Sequence, residues 1–189
     1  MKNVSKNFVA IDFETADQGR DSACAVGLVT VLDGKIVKRE SHLIRPPRSG
    51  FIFSYIHGIE WSHVAKKPTF AGLWPTLKKS LAGADYLAAH NASFDKGVLN
   101  ACCSAAGVKV PAAPFICTVK LARRAWDIRP TKLPDVCHHL GIKLKHHDAL
   151  SDAEACANIV LAAAQDGIDL FGAQGLAKGS YHKPARRAR

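Results

Sequence analysis

The residues of this chain whose types and spacing could do chemistry are acids set in pairs and histidines set ahead of acids. Asp12 and Glu14 form one acid-x-acid pair, Asp152 and Glu154 another, and His90 and His147 each stand five residues before an aspartate, Asp95 and Asp152. With 16 acids among 189 residues, each pattern arises about once by chance, so counting assigns nothing. Placement says more. Side chains alternate along a strand, so Asp12 and Glu14 share one face and Phe13 takes the other. Two carboxylates about 6–7 Å apart on one face repel unless a cation lies between them or water screens them. A strand end in water is the simpler account of that pair alone, and helix-dipole interaction is the simpler account of Asp95 or Asp152 alone. Together, four carboxylates at strand ends and helix starts could converge where an α/β sheet places its ligand crevice. An all-oxygen cluster suits Mg²⁺ or Mn²⁺ and does not suit zinc, which favours His and Cys.

Strands and helices must hold these residues. Phe8 to Ile11 reads as a buried strand that ends in Asp12-Phe13-Glu14. Ala25 to Leu32 and Lys35 to Ile44 are β-rich runs joined by Asp33-Gly34, a strong hairpin signal. Residues 45–58 read as loop. Thr69 can cap a helix to about Leu81, and Tyr86 to Ala89 is a strand that delivers His90-Asn91. A helix over about 93–106 ends at Gly107, and Phe115 to Cys117 is a short strand before a helix bearing Lys120, Arg123 and Arg124. Leu133 to Leu140 is a short helix ended by Gly141, and Ser151 can cap the last helix, Asp152 to about Gln165. This order implies an α/β fold with a mixed central sheet of about five strands flanked by helices.

Three segments then resemble, in order, the motifs of the DEDDh (DnaQ-like) 3′–5′ exonuclease family. They are Phe8-Val9-Ala10-Ile11-Asp12-Phe13-Glu14-Thr15, His90-Asn91-Ala92-Ser93-Phe94-Asp95 and His147-Asp148-Ala149-Leu150-Ser151-Asp152. The family includes bacterial proofreading subunits, ribonuclease T and oligoribonuclease. Ile116 to Arg124 is further similar to stand-alone members of the exodeoxyribonuclease X type.

The resemblance covers roughly residues 8–165 and implies a ribonuclease H-like fold with two-metal phosphodiester hydrolysis. It implies that Asp12, Glu14, Asp95 and Asp152 hold two divalent ions, Mg²⁺ or Mn²⁺, and that His147 is the general base. Such ions, about 3.5–4 Å apart, lower the pKa of a water and stabilise the attacking and leaving oxygens. A histidine titrates near neutrality and can take that proton. The sister subclass has Tyr four residues before the last acid, where this chain has Asp148, so the His subclass is the better match. Thr15 and the backbone beside it would hold the terminal 3′ hydroxyl, Asn91 would reach a phosphate or base, and Phe94 would stack on a base, although a core position serves Phe94 equally. His146 would point away from the site if the local chain is extended. The implied reaction releases nucleoside 5′-monophosphates from the 3′ end of single-stranded or frayed nucleic acid, with DNA favoured and DNA repair or replication as the setting. An exoribonuclease of the same family and a non-catalytic nucleic-acid-binding module are the alternatives.

Composition agrees with a nucleic-acid partner. A net charge of +10 points to a polyanion. Half of it lies in Lys178, Lys183, Arg186, Arg187 and Arg189, in a final stretch without an acid. The chain therefore reads as one exonuclease domain, 1–177, followed by a basic tail, 178–189, expected to be disordered. Six cysteines form no C-x-x-C pair, and several lie in apolar surroundings, as reduced core cysteines do. No apolar run approaches the roughly 18 residues of a membrane span, and Met1 to Asn7 has no apolar signal core. The expected location is the cytoplasm, with no membrane partner. A homodimer is left open, and no polymerase-binding segment is recognisable.

Overall fold

A computed structural model of the chain describes residues 7–171, so the basic tail and the expected domain end at 177 lie outside the described residues. The continuous apolar run from Phe8 to Ile11 builds β1 (Phe8–Thr15), the middle strand of the sheet, covered on both faces. It is followed by β2 (Ala23–Leu32) and β3 (Lys35–Leu43). The turn between them has positive φ at both Asp33 (47°) and Gly34 (74°), the geometry that matches the twist of a two-residue hairpin. Then come α1 (Ser54–His57), α2 (Trp61–Val64), α3 (Phe70–Leu81), β4 (Tyr86–Ala89), α4 (Ser93–Ala105) and β5 (Phe115–Cys117), and finally α5 (Thr118–Trp126), α6 (Leu133–Leu140) and α7 (Ala149–Gln165). The sheet order is β3-β2-β1-β4-β5. β1, β2 and β3 are antiparallel neighbours, whereas β4 and β5 run parallel to β1.

The period of two divides the interior. Phe8 and Ala10 face a core shared with Leu121, Val136, Cys156 and Ile159 of α5, α6 and α7. Val9, Ile11 and Phe13 face the other core, with Trp74 and Leu77 of α3 and Val98 and Leu99 of α4. Asp12 and Glu14 continue the first series and so emerge beneath the start of α7.

Several boundaries differ from the sequence expectation. β1 runs one residue past Glu14, through Thr15, as Asp12, Phe13 and Glu14 pair with Gly27, Val26 and Ala25 of β2; the two acids lie at its carboxyl-terminal end, where the sequence places them. The 45–58 stretch contains α1, and α2 follows it. α7 begins at Ala149, capped by Asp148, whose side chain accepts the Ser151 N–H; Ser151 is not the cap. The Ser151 hydroxyl instead accepts the Lys145 N–H. Asp148 wins because its carboxylate is placed at the N-cap, three residues ahead of the amide it receives. Of the three tryptophans, read as packing residues, Trp74 is buried and Trp126 partly so, whereas Trp61 stays exposed at the start of α2. No helix among the described residues is long and apolar enough to cross a membrane.

Candidate active site

Chain direction puts the polar residues at one end of the sheet. β4 has only four residues and pairs with β1 along Phe8–Ala10. The carboxyl-terminal half of β1 therefore reaches the rim where the turn after β4 leads into α4. That turn is held open by Asn91 at φ 62°, and α4 then presents Asp95, 2% exposed, in its first turn. Asp95 Oδ1 accepts the Phe13 N–H at 3.0 Å. From the opposite side, α7 delivers Asp152, 4% exposed. The oxygens of Asp12, Glu14 and Asp152 come within 4.8 Å of one another.

Neither buried acid serves as the helix cap. Ala92 is the N-cap of α4 and makes no side-chain bond, and Asp148 caps α7. The helix-dipole account of Asp95 and Asp152 thus leaves their convergence on β1 unexplained. Electrostatics marks the same spot. Burial, then the charges of Asp95, Asp152 and Glu14, pushes the Asp12 carboxyl well above the usual carboxylate range. Burial, then Asp152 and Asp95, raises Glu14 to about 8. Burial raises Asp95 to about 7 against the opposing Phe13 N–H and the positive charge of Arg20. Asp152 is raised by burial despite the His147 N–H and His146. A divalent cation would relieve this repulsion as protonation does. The residues fit one: the donors are oxygens, and the buried Asp152 Oδ1 has no hydrogen-bond partner among the described residues.

A pH response follows. These carboxyls bind protons more tightly folded than unfolded, so they favour the folded state below their unfolded pKa values of about 4. That contribution is lost as pH rises through about 7 for Asp95 and about 8 for Glu14. The lowered histidines His57, His90 and His147 act in the opposite sense, but only up to the unfolded histidine value of about 6.5. In chelator, the melting temperature is therefore expected to fall between about pH 6.5 and 8, and saturating Mn²⁺ to flatten the fall. A rising Tm across that window in chelator would contradict the cluster's electrostatics.

The two histidines ahead of Asp152 stand together. His146 Nδ1 lies 3.0 Å from Asp152 Oδ2, and the His147 N–H donates to the same oxygen at 3.1 Å. Their rings stack at 3.8 Å. The expectation that His146 points elsewhere is corrected. It assumed an extended chain, whereas His147 has φ 65° and the residues form a turn. The His147 ring makes no hydrogen bond among the described residues.

Thr15 is 6% exposed, and its carbonyl accepts from His57 Nε2 at 3.1 Å. The Ile59 N–H donates to His57 Nδ1, which places the ring proton on Nε2. Asn91 is exposed, with its Oδ1 accepting the Ser93 hydroxyl. Phe94 is half-buried beneath the Arg20 guanidinium, 5.1 Å from its ring centroid. His90 bridges Thr118 and the Thr131 carbonyl, and burial lowers its pKa to about 4, so it fixes the turn as a neutral ring. Arg123 bonds Thr131, and Arg124 the carbonyls of Asp169 and Leu170; Lys120 and Arg123 are exposed.

Sequence reasoning missed His57 and Gly27. Nothing local distinguishes His57 from any loop histidine. Gly27 carried a signal, a glycine inside a strand run, which marks close backbone approach. It lies opposite Asp12, and a Cβ there would overlap the Ala149 carbonyl. The first turn of α7 thus rests directly on β2, and this contact lets Asp152 reach Asp12 and Glu14. Gly27→Ala is expected to cost about 1–3 kcal/mol by overpacking and to weaken Mn²⁺ binding by displacing Asp152. Denaturant melts and Mn²⁺ calorimetry on the variant test this, and unchanged Mn²⁺ affinity would refute the link.

The chain is similar to known nucleases. The protein-family model of the RNase T group, described as Exonuclease, matches residues 9–160. Exodeoxyribonuclease 10 of Escherichia coli (strain K12) is 35% identical over 147 residues, 72% of this chain and 59% of that protein. The PolC-type DNA polymerase III of Clostridium perfringens is 33% identical over 158 residues, 81% of this chain and 11% of that protein. The chain thus spans less than two thirds of these relatives. The structure of Exonuclease X in complex with 5′ overhanging duplex DNA is similar at a TM-score of 0.70 and 29% identity, over 86% of this chain and 95% of that one. The nuclease domain of 3′hExo, a DEDDh member bound to rAMP, shares the fold at a TM-score of 0.73 and 22% identity, over 90% and 97% of the two chains.

Proposed function

Because the chain belongs to the RNase T exonuclease family, we propose that it hydrolyses phosphodiester bonds one nucleotide at a time from the 3′ end of single-stranded or frayed nucleic acid, DNA in preference to RNA, and releases nucleoside 5′-monophosphates. The observation that carries the reading is the meeting of Asp12, Glu14 and Asp152 oxygens within 4.8 Å at the rim of the sheet, beside buried Asp95. In this reading those four residues hold two divalent ions, Mg²⁺ or Mn²⁺. The ions supply Lewis acidity toward the attacking water and the charge that develops at the leaving oxygen.

The chain's own residues do the rest. His147 takes the water's proton on a ring nitrogen; its lowered pKa, set by burial and then His146, keeps it neutral and receptive at physiological pH. His146 holds Asp152 Oδ2 from the solvent side. Thr15 and the neighbouring backbone receive the terminal 3′ hydroxyl at the end of β1, where His57 clamps the Thr15 carbonyl. Asn91 stands on the exposed side of the same rim to meet the terminal nucleotide.

DNA preference is supported by the two relatives, whose names are a deoxyribonuclease and a DNA polymerase. The polymerase likeness covers one small part of a long protein and leaves this chain's own polymerase partner a separate proposal. The test is a 5′-labelled oligonucleotide with Mg²⁺, Mn²⁺ or chelator, alongside a 3′-phosphate-blocked strand and a matched RNA. A metal-dependent ladder from the open 3′ end is expected. Release of label from the 5′ end, or shortening in chelator, would overturn the reading.

A further inference from the structure

The turn from Asp17 to Ser22, between β1 and β2, is built around two arginines that do different work. Arg48 Nε donates to Asp17 Oδ2 at 2.8 Å, and its two terminal nitrogens donate to Asp21 at 2.9 and 2.6 Å. Arg48 holds both carboxyls below the usual carboxylate range. Gly19 N–H closes the turn onto Asp17 Oδ1 at 2.7 Å, and the buried Ser22 hydroxyl bonds back to the Gly19 carbonyl at 2.6 Å. A side chain at Gly19 would collide with the Arg48 guanidinium.

This clamp aims Arg20 across the chain at the first turn of α4. Its Nη1 donates to the Phe94 carbonyl at 2.9 Å, and its Cζ lies 5.1 Å from the Phe94 ring centroid. Its backbone carbonyl accepts the Cys102 thiol. Gly97 makes the room: a Cβ there would come 2.8 Å from Arg20 Nη1. The acids of its own turn are taken by Arg48, and Arg20 makes no ion pair with any described residue. It is exposed, and its charge is felt by the neighbouring Asp95. A guanidinium has five N–H donors in a fixed fork. One is spent on Phe94, next in sequence to Asp95, and the side chain as a whole is exposed.

We propose that Arg20, seated on Phe94 and held by the Arg48 clamp, binds a backbone phosphate of the nucleic-acid strand close to its cleaved end. The proposal rests on the exonuclease reading and adds to it a strand-holding residue that no motif contains. An Arg fork matches phosphate geometry, and the ring beneath it restricts the side chain before the strand arrives, which lowers the ordering cost of binding. An exposed cation next to Asp95, with no acid paired to it among the described residues, would otherwise only compete with a metal for that carboxylate's charge. A strand phosphate is the partner that gives it a use.

The experiment compares the full-length chain with Arg20→Gln and Arg20→Lys. Affinity for a 5′-fluorescein-labelled single-stranded DNA is read by anisotropy in chelator across a salt series, and turnover is read separately with Mn²⁺. Each phosphate neutralised on a single strand contributes about −0.7 to the log–log salt slope. Arg20→Gln is expected to make the slope shallower by about that amount and to weaken binding by about tenfold at low salt. Its kcat at saturating strand should stay within a few fold, and Arg20→Lys should restore the slope. A wild-type slope in Arg20→Gln would overturn the proposal while leaving the exonuclease reading intact. So would a rise in KM with no slope change that Lys fails to rescue, since that pattern belongs to a purely structural role. Wild-type protein that releases no nucleotide would instead overturn the exonuclease reading itself.

Discussion

Asp12→Asn is expected to abolish turnover and to raise the melting temperature of the metal-free chain. Asp12 sits at the centre of the cluster, and burial with three neighbouring acids pushes its carboxyl well above the usual range. At neutral pH the wild-type chain must therefore hold a proton or tolerate repulsion there. The amide keeps the shape, removes one charge and offers an N–H to the facing carboxylates. A gain of a few degrees is expected, since each 1 kcal/mol moves Tm by about 2–4 °C in a domain of this size. The loss of activity should be at least about 10³-fold, the equivalent of the several kcal/mol that an ion contributes to the transition state. Mn²⁺ provides the internal control. At a hundred times its Kd an ion adds about 2.7 kcal/mol by linkage, and Asp12→Asn should lose most of that increment. Thermal melts with chelator and with Mn²⁺, read beside oligonucleotide turnover, check all three. Turnover near wild type would remove Asp12 from the metal site.

His147→Ala should lose about 10²–10⁴-fold in rate, the range of a positioned general base, while His146→Ala stays within a few fold. The arrangement around Asp152 separates the two. His146 Nδ1 is occupied by Asp152 Oδ2, whereas His147 meets that oxygen through its backbone N–H, which alanine retains. The ring of His147 is thereby left for proton transfer. Mn²⁺ affinity by calorimetry should change little in His147→Ala because the carboxylates remain. The acidic limb of the pH–rate profile should weaken with the ring. The reverse pattern, with His146 as the residue that carries the rate, would shift the assignment of the base by one position.

Much of the fold was legible because local signals agreed with one another. The apolar run of Phe8 to Ile11, the Asp33-Gly34 turn, the Thr69 cap and Gly141 after α6 each act over a few residues. Each reappears in the structure in its expected place. The misplaced boundaries share a cause. β1 reaches Thr15, one residue beyond Glu14, where β2 supplies partners, and α7 starts at Ala149 because the Asp148 side chain caps it. Pairing and capping choose among residues that local propensity leaves nearly equal.

By itself, the sequence determined which residues could do chemistry, the order of the elements that carry them, and the faces that Asp12, Phe13 and Glu14 take on a strand. These follow from spacing, since a period of two or 3.6 is a property of the local backbone. Only the tertiary structure decided that α7 approaches β2 closely enough for Asp152 to join Asp12 and Glu14, a contact admitted by the missing side chain of Gly27. It also decided that His146 shares the site, that His57 clamps Thr15, and that Arg20 lies on Phe94. Those contacts join residues brought together by the path of the whole chain. Their energies depend on burial and on charges from distant segments, which no window of neighbouring residues contains.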